Sequence, residues 1–298
     1  MTSSFHRVLV GFDGSEPARD ALVLAQRLAD PDGELLLAYV EVHRGFGLPH
    51  GRHRQPPEDV LAAGRAEVDG TFRVETVECE ASSAARGLTE LAEQTRVDLV
   101  VIGARHGSAE RRTTPGATAL RLLQGAPCAV AISPLGMREH ERFHHVGVAY
   151  DGSPEADVAV AAAYALAARD GTAVSMFLVL PASGVGAAGE TSAQAEAALQ
   201  SRRNRAQQQL DTAADAAPDG VNPRTVLLYG DAPGQITRAS DGIVDVLFTG
   251  SRGYGPVQRA LAGSVSEQLL LSATQPVVVL PRGGARRTEP PAGAHTQT

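Results

Sequence analysis

The glycine-rich segment 250–270 contains the residue types of a phosphate-binding site. Gly250 and Gly253 carry no Cβ, so the backbone there can turn tightly and approach a ligand. Ser264 and Glu267 have the spacing of a capping box at the start of a helix. A helix start presents free backbone N–H groups and the positive end of the helix dipole, which together bind anions. The spacing therefore predicts an anion site.

Other side chains of this segment add hydrogen-bond donors and positive charge. The hydroxyls of Ser264 and Ser266 can donate to phosphate, and Arg252 and Arg259 supply charge. The segment is not a Walker loop, because that motif requires a lysine and all 27 basic residues of this chain are arginine. Mechanisms that need a lysine amine, such as Schiff-base formation, are excluded for the same reason.

A second motif, Asp-Gly-Ser, follows an apolar run twice, at 13–15 and 151–153. In an open parallel sheet, ligands bind beyond the carboxyl ends of the strands, at the point where strand order reverses. The carboxylates of Asp13 and Asp151 are therefore expected at a ligand-binding edge. The same three residue types also form an ordinary turn followed by a helix N-cap. The motif alone leaves both interpretations open.

The chain contains an internal repeat. The stretch VLVGFDGSEPARDA at 8–21 matches VGVAYDGSPEADVA at 146–159, and VDLVVIGARHG at 97–107 matches VDVLFTGSRGY at 244–254. We therefore expect two similar domains joined by a short linker and followed by a disordered tail. The predicted bounds are 1–136 for the first domain, 144–282 for the second and 283–298 for the tail.

Short apolar runs alternate with helix-like stretches in each half, which predicts βαβ crossovers and a parallel sheet. The runs are apolar on both faces, as parallel strands covered by helices must be. A helix over 192–217 has apolar residues at helical spacing and is expected to cover one face of the sheet. The predicted strands are 8–12, 35–40, 73–79, 99–102 and 129–132 in the first half and 147–150, 173–180, 224–229, 246–249 and 277–280 in the second.

The second half resembles the ATP-binding members of the universal stress protein family. The resemblance rests on the pattern G-x2-G-x9-G-[ST] at Gly250, Gly253, Gly263 and Ser264, paired with the upstream Asp-Gly-Ser turn. Because the two repeats cover nearly the whole chain, it implies a tandem protein with two doubly wound domains of five parallel strands each. This is a fold similar to that of the adenine nucleotide alpha hydrolases. It also implies ATP as the ligand, with or without Mg²⁺.

The resemblance further assigns residues to the two ends of ATP. The end of the first strand and a valine at the end of the second hold adenine and ribose, with Asp151 accepting a hydrogen bond from a ribose hydroxyl. The glycine-rich segment holds the phosphates. Carried onto this sequence, the nucleoside residues are Ala149, Tyr150, Asp151 and Val179. The phosphate residues are Thr249, Gly250, Arg252, Gly253, Gly263, Ser264, Val265 and Ser266.

The first half departs from the pattern at three positions. His106, Ala117 and Leu120 stand where the second half has the glycine, serine and glutamate of the motif. The capping box and the phosphate-binding hydroxyl are therefore both lost. Thr114 and Pro115 predict a different helix start, with Thr as the cap and Pro at the first helical position.

Part of the pattern survives in the first half. Asp13 and Val40 match nucleoside residues of the second half, and Gly103 and Gly116 match two glycines of its phosphate motif. These four residues are weaker site candidates. Two interpretations remain for the first half: the site is lost, or nucleotide binding there is weak or altered.

Composition excludes several functions. A length of 298 residues indicates two domains, and 43% hydrophobic residues with a net charge of −7 are typical of a soluble globular protein. No nucleic-acid partner is expected, because the chain has no Trp and its acidic residues outnumber its basic ones. No apolar run reaches the roughly 18 residues of a membrane span and no signal peptide is recognisable. The cytoplasm is the expected compartment.

Cysteine and histidine usage predicts no disulfide and no metal site. Cys79 and Cys128 lack C-x-x-C spacing and are expected to be buried thiols. His50 and His53 are too sparse for a metal site without further ligands.

The expected function is an ATP-binding module that regulates an unnamed protein partner or process in a stress response. No catalytic residue is assigned, because an ATPase needs a water-positioning base and segment 250–270 has no acid before Glu267. A slow ATPase and a nucleotide-free scaffold are the alternatives. In the family, fifth strands often pair across a two-fold axis, so strands 129–132 and 277–280 are expected to pair within the chain or in a homodimer.

Overall fold

A computed structural model describes residues 5–42, 55–104, 113, 115–137, 142–182, 192–251 and 265–281. The tail predicted at 283–298 lies outside these residues. In the first half the elements are β1 (Phe5–Gly11), α1 (Glu16–Leu28), β2 (Ala29–Val42), α2 (Pro57–Ala66), β3 (Arg73–Ala81), α3 (Ala84–Thr95), β4 (Leu99–Gly103), α4 (Ala117–Gly125) and β5 (Ala129–Ser133). In the second half they are β6 (His145–Ala149), α5 (Pro154–Asp170), β7 (Ala173–Leu180), α6 (Ser192–Asp215), β8 (Arg224–Tyr229), α7 (Ala232–Ser240), β9 (Val246–Gly250), α8 (Val265–Ser272) and β10 (Val277–Leu280).

These strands form one sheet in the order β3-β2-β1-β4-β5-β10-β9-β6-β7-β8. Strands within each half are parallel, and strand order reverses between β1 and β4 and between β6 and β9. The predicted doubly wound fold is therefore confirmed in both halves. The halves join through β5 and β10, which are antiparallel with Val277 opposite Ile132 and Val279 opposite Val130. The pairing of fifth strands thus occurs within the chain.

Helices cover both faces of the sheet because the strands are apolar on both faces. In β1, Val8 and Val10 face one core cluster and Leu9 faces another, and none of the three is exposed to solvent. This alternation follows from the two-residue period of a strand. Both clusters contain residues of both halves, so the two domains share a continuous core.

The largest departure from the predicted strands is in β2, which begins at Ala29 rather than Leu35. Its first residues are polar and do not have a strand pattern. They join the sheet because Phe5 pairs with Ala29 across a register shift in β1. This early pairing depends on β1 and has no local signal in the sequence.

A repeated aspartate holds the first strand of each half. Asp98 precedes β4 and accepts hydrogen bonds from the N–H groups of His6 (3.0 Å) and Arg7 (2.9 Å). Asp245 precedes β9 and accepts from the N–H groups of His144 (2.6 Å) and His145 (2.9 Å). The Val-Asp pair of the sequence repeat therefore has a structural role in aligning neighbouring strands.

Arg169, near the end of α5, connects the two halves. Its guanidinium donates hydrogen bonds to the carbonyls of Arg27 (2.6 Å), Leu28 (3.2 Å) and Ala29 (2.6 Å) at the end of α1. The last carbonyls of a helix lack partners within the helix, and positive charge is favoured there. Asp170 binds the other side of the guanidinium at 2.6 Å. Arg169 thus caps a helix of the other domain.

The two cysteines are free thiols. Cys128 is 7% exposed, and burial raises its pKa to about 12. Cys79 is only half-buried, because it lies in the edge strand β3. The expectation of a buried thiol is therefore correct for Cys128 and wrong for Cys79.

Candidate functional site

The carboxyl edge of the second half brings most of the described site candidates together. Ala149, the last residue of β6, is paired with Phe177 in β7 and with Thr249 in β9. The N–H of Tyr150 donates to the Phe177 carbonyl at 2.9 Å, which continues this pairing beyond the strand. Gly250 ends β9 at the same edge. This is the reversal point of strand order, where open parallel sheets bind ligands.

The Asp-Gly-Ser turn of the second half leads directly into α5. Asp151 Oδ1 accepts a hydrogen bond from the Ser153 N–H at 2.9 Å, and Ser153 Oγ caps the helix by accepting from the Ala156 N–H at 3.2 Å. Gly152 has φ of +75°, a conformation that favours glycine. The turn and cap interpretation is therefore correct. It also leaves the Asp151 side chain exposed at the edge, so ligand binding is compatible with it.

Val179 and Tyr150, two of the predicted nucleoside residues, have different surroundings. Val179 is partly buried against the cluster that contains Ala149 and Phe177. The Tyr150 hydroxyl donates to Asp157 Oδ1 at 3.2 Å. Burial and then the nearby Asp157 carboxylate raise the pKa of Tyr150 to about 12. The Tyr150 hydroxyl is therefore a protonated donor directed to α5, and this partner in α5 was not predicted.

Gly250 has a packing role that sequence reasoning missed. A Cβ at this position would lie 2.6 Å from the carbonyl carbon of Glu155 and 2.8 Å from its Cβ. The bare backbone thus allows the first turn of α5 to pack on the end of β9. Gly103 is in the same position against Pro17 in the first half. The repeated glycine places the helix that follows the Asp-Gly-Ser turn beside the reversal point.

Only part of the predicted phosphate segment lies among the described residues. Helix α8 spans Val265–Ser272 there. Val265 is 36% exposed, whereas Ser266 is 2% exposed. Thr249 is also buried. The predicted phosphate residues Arg252, Gly253, Gly263 and Ser264 lie outside the described residues, as does Arg259.

Helix α6 borders the site, which the sequence did not indicate. A Cβ on Gly152 would lie 2.7 Å from Gln209 Nε2, so α6 passes directly beside the Asp-Gly-Ser turn. Gln209 and its neighbours in α6 therefore border the carboxyl edge of the second half. The only signal in the sequence was the unusual length of the helical stretch.

The first half has a cavity of about 410 Å³ at the equivalent edge. The four weaker candidates, Asp13, Val40, Gly103 and Gly116, all line it. Its volume lies within the roughly 300–1,000 Å³ range of ligand pockets. Asp13 Oδ1 accepts from the Ser15 N–H at 3.1 Å, as in the second half. The structure therefore keeps a cavity where the sequence had lost part of the motif.

The start of α4 differs from the prediction. The helix begins at Ala117 with Gly116 as its N-cap, and no side chain caps it. Pro115 is therefore not the first helical residue, and Thr114 lies outside the described residues, as does His106. Thr113 explains the shift, because its N–H donates to the Ala273 carbonyl at 3.0 Å and its hydroxyl to the Gln275 carbonyl at 2.8 Å. These contacts anchor Thr113 to the second half shortly before the helix begins.

The described part of the chain contains neither a cluster of metal-ligating side chains nor a membrane-spanning helix. No group of three or more metal-ligating side chains occurs there, and none of its helices is both long and apolar enough to cross a bilayer. His50 and His53 are not among the described residues.

The model of the universal stress protein family matches this chain twice, over residues 4–134 and 142–281. The chain belongs to the universal stress protein family. A universal stress protein from Archaeoglobus fulgidus DSM 4304 has a similar structure, with 20% identity, a TM-score of 0.66 and coverage of 94% of this chain and 98% of that one. A functionally unknown protein from Pseudomonas aeruginosa PAO1 is also similar, with 16% identity, a TM-score of 0.63 and 94% coverage of both chains. No curated protein sequence matches the chain.

The tandem organisation gives this universal stress protein two similar sheet edges. Each unit has its own reversal point, Asp-Gly-Ser turn and strand-end glycine. The antiparallel junction of β5 and β10 places the two units in one sheet. The two edges are therefore similar in backbone and different in side chains.

Proposed function

We propose that this universal stress protein binds one ATP molecule per chain, in its second half, and acts as a nucleotide-dependent regulatory module in a stress response. The observation that carries the proposal is the meeting of Ala149, Phe177 and Thr249 at the reversal point of strand order. The Asp151 turn and the glycine-rich segment before α8 belong to the sequence pattern by which this chain resembles the ATP-binding members of the family.

The residues present fit the nucleoside end of ATP. Ala149 is small, and the side chain of Val179 borders the same cluster, which suits a flat apolar base. The exposed carboxylate of Asp151 suits a ribose hydroxyl, because an ionised carboxylate only accepts hydrogen bonds. Adenine and ribose would therefore lie between the ends of β6 and β7.

The phosphates would be held by backbone and hydroxyl groups rather than by lysine. The start of α8 supplies N–H groups and the positive dipole end. Ser264 adds a hydroxyl and Arg252 adds charge, while Gly253 and Gly263 keep the backbone accessible. This set suits ATP with or without Mg²⁺.

We do not propose fast ATP hydrolysis for this protein. Of the two acids in the first turn of α5, Asp157 is bonded to Tyr150 and Glu155 is 7% exposed, and the proposal assigns the exposed Asp151 to the ribose. The proposal assigns none of these acids as a base for ATP hydrolysis. A binding module that responds to ATP and contacts a protein partner in the cytoplasm is the function we favour over an ATPase.

Calorimetric titration of nucleotide-stripped protein tests the proposal. We expect a stoichiometry near one ATP per chain. Ser264→Ala should weaken binding by roughly ten- to a hundredfold, because a charge-assisted hydrogen bond is worth about 1.5–3 kcal/mol. Gly263→Glu should weaken it further, since the side chain blocks the backbone and adds negative charge.

The matched control is Gly116→Glu, the equivalent change in the first half, which should leave the titration nearly unchanged. A stoichiometry near two would contradict a single site per chain. Wild-type affinity after both changes in the second half would show that we have assigned the site to the wrong domain.

A further inference from the structure

Helix α6 extends well beyond the sheet that it covers. Its 24 residues span about 36 Å at 1.5 Å per residue. Ala206, Leu210 and Ala213 are buried, but Leu199 on the same helical line is 39% exposed. The prediction that this helix only covers a sheet face is therefore wrong for its first half. We call residues 192–205 the α6 arm.

The α6 arm carries a cluster of three exposed arginines, Arg202, Arg203 and Arg205. The Arg203 guanidinium lies 5.7 Å from the ring centre of Tyr229. Among the described residues, Arg205 bonds to the carbonyl of Ser201 on its own helix, at 3.4 Å. Within the described ranges, no carboxylate forms an ion pair with any of the three. The cluster is thus a positive surface on a chain with a net charge of −7.

Tyr229 is the last residue of β8, which is an edge strand. Among the described strands β8 pairs only with β7. The Gly230 N–H points to β7 and donates to the Leu180 carbonyl at 2.9 Å. Because successive N–H groups of a strand point to opposite sides, those of Thr225, Leu227 and Tyr229 point away from β7. Such a row of backbone groups is a template for one more strand.

The opposite edge of the sheet is chemically different. The edge strand β3 carries the exposed side chains Glu75, Glu78 and Glu80. Charged side chains on an edge discourage the addition of another strand. Strand β8 has the sequence RTVLLY, with Arg224 as its only charged residue. Within the described part of the chain, the edge strand with fewer charged residues is therefore the one beside the arginine cluster.

We propose that β8 and the α6 arm form a docking surface for an acidic, extended segment of a partner protein. The segment adds as a strand along β8, where main-chain hydrogen bonds supply affinity. Its carboxylates face the three arginines of the α6 arm, which supply specificity through charge complementarity. Tyr229 (40% exposed) and Leu199 (39% exposed) provide the apolar contact between them. This proposal does not depend on the proposed ATP site.

The probe is a fluorescent ten-residue peptide of alternating Glu and Val, and the control is the same peptide with Lys in place of Glu. Fluorescence anisotropy at physiological salt should detect binding of the acidic peptide and at least about tenfold weaker binding of the basic one. Equal binding of the two peptides would overturn the proposal.

Two variants separate charge from strand addition. The triple change R202Q, R203Q and R205Q should weaken binding of the acidic peptide by about tenfold or more. The matched control removes three exposed arginines of the first half, R65Q, R73Q and R86Q, and should leave binding unchanged. The same loss in both triple variants would indicate only a general charge effect and would overturn the proposal.

Thr225→Pro removes an outward N–H of β8 and leaves the bonds to β7 in place, because proline is tolerated where the N–H faces solvent. It should abolish peptide binding while circular dichroism and the thermal midpoint stay close to those of the wild type. Unchanged binding by this variant would overturn strand addition. Self-association of the chain without peptide binding would also overturn the proposal, because the strand that docks on β8 would then belong to a second copy of this chain. Tighter binding of a ten-nucleotide single-stranded DNA than of the acidic peptide would also overturn it.

Discussion

Replacing Arg169 by Met removes the cap that α5 places on α1 and keeps an unbranched side chain. Three carbonyls lose a charged donor, at 2.6, 2.6 and 3.2 Å, and Asp170 loses its partner. One hydrogen bond to a charged group contributes about 1.5–3 kcal/mol, but the three share one guanidinium and their carbonyls can recover some water. We therefore expect the free energy of unfolding to fall by about 2–4 kcal/mol.

Urea unfolding monitored by circular dichroism measures this loss. Arg169→Lys should be intermediate, because an ammonium keeps the charge but cannot reach several carbonyls with a planar fork. The control is Arg86→Met, which breaks an exposed ion pair with Glu90 (2.7 Å) and should cost about 0.3–0.5 kcal/mol. If Arg169→Met costs no more than this control, the interdomain cap does not stabilise the fold.

Three further predictions concern the site and the core. Gly250→Ala should destabilise the protein by about 1–3 kcal/mol, because its Cβ would overlap Glu155. Gly125→Ala should not, because no atom lies within 4 Å of the added Cβ. Equal shifts of the two melting temperatures would contradict this prediction. ATP turnover should stay well below about 1 per second, and a phosphate-release assay with a faster rate would show a base that we have not assigned. Because burial raises the pKa of Cys128 from 9.0 to about 12, the unfolded chain loses this proton first. Stability should therefore fall from pH 9 to 10, more steeply in the wild type than in Cys128→Ala, and parallel urea midpoints over this range would refute it.

Much of the candidate site was predictable because its signals are local. The Asp-Gly-Ser turn needs a glycine at positive φ and a serine cap, and both requirements are visible in three consecutive residues. The first described residue of α8, Val265, comes where the predicted capping box expects a helix to start. The start of α4 was predicted wrongly, because the contacts of Thr113 with Ala273 and Gln275 come from residues far away in the chain.

The sequence by itself determined the repeat, the order of strands and helices and the apolar faces of the sheet. These depend on periodicity and on residue type, which are properties of short stretches. The observed β7, β8 and β10 have the predicted bounds, since their apolar runs end at clear turn residues.

Only the tertiary structure decided which surfaces meet. The junction of β5 with β10, the cap of α1 by Arg169 and the contact between Gly250 and Glu155 each join residues that have no common local pattern. The exposure of the α6 arm was also decided there, because its helical line of Ala195, Leu199, Ala206 and Leu210 is uniform in sequence. The sheet covers only the later part of that line. Burial depends on where the neighbouring elements end, and no single stretch of sequence contains that information.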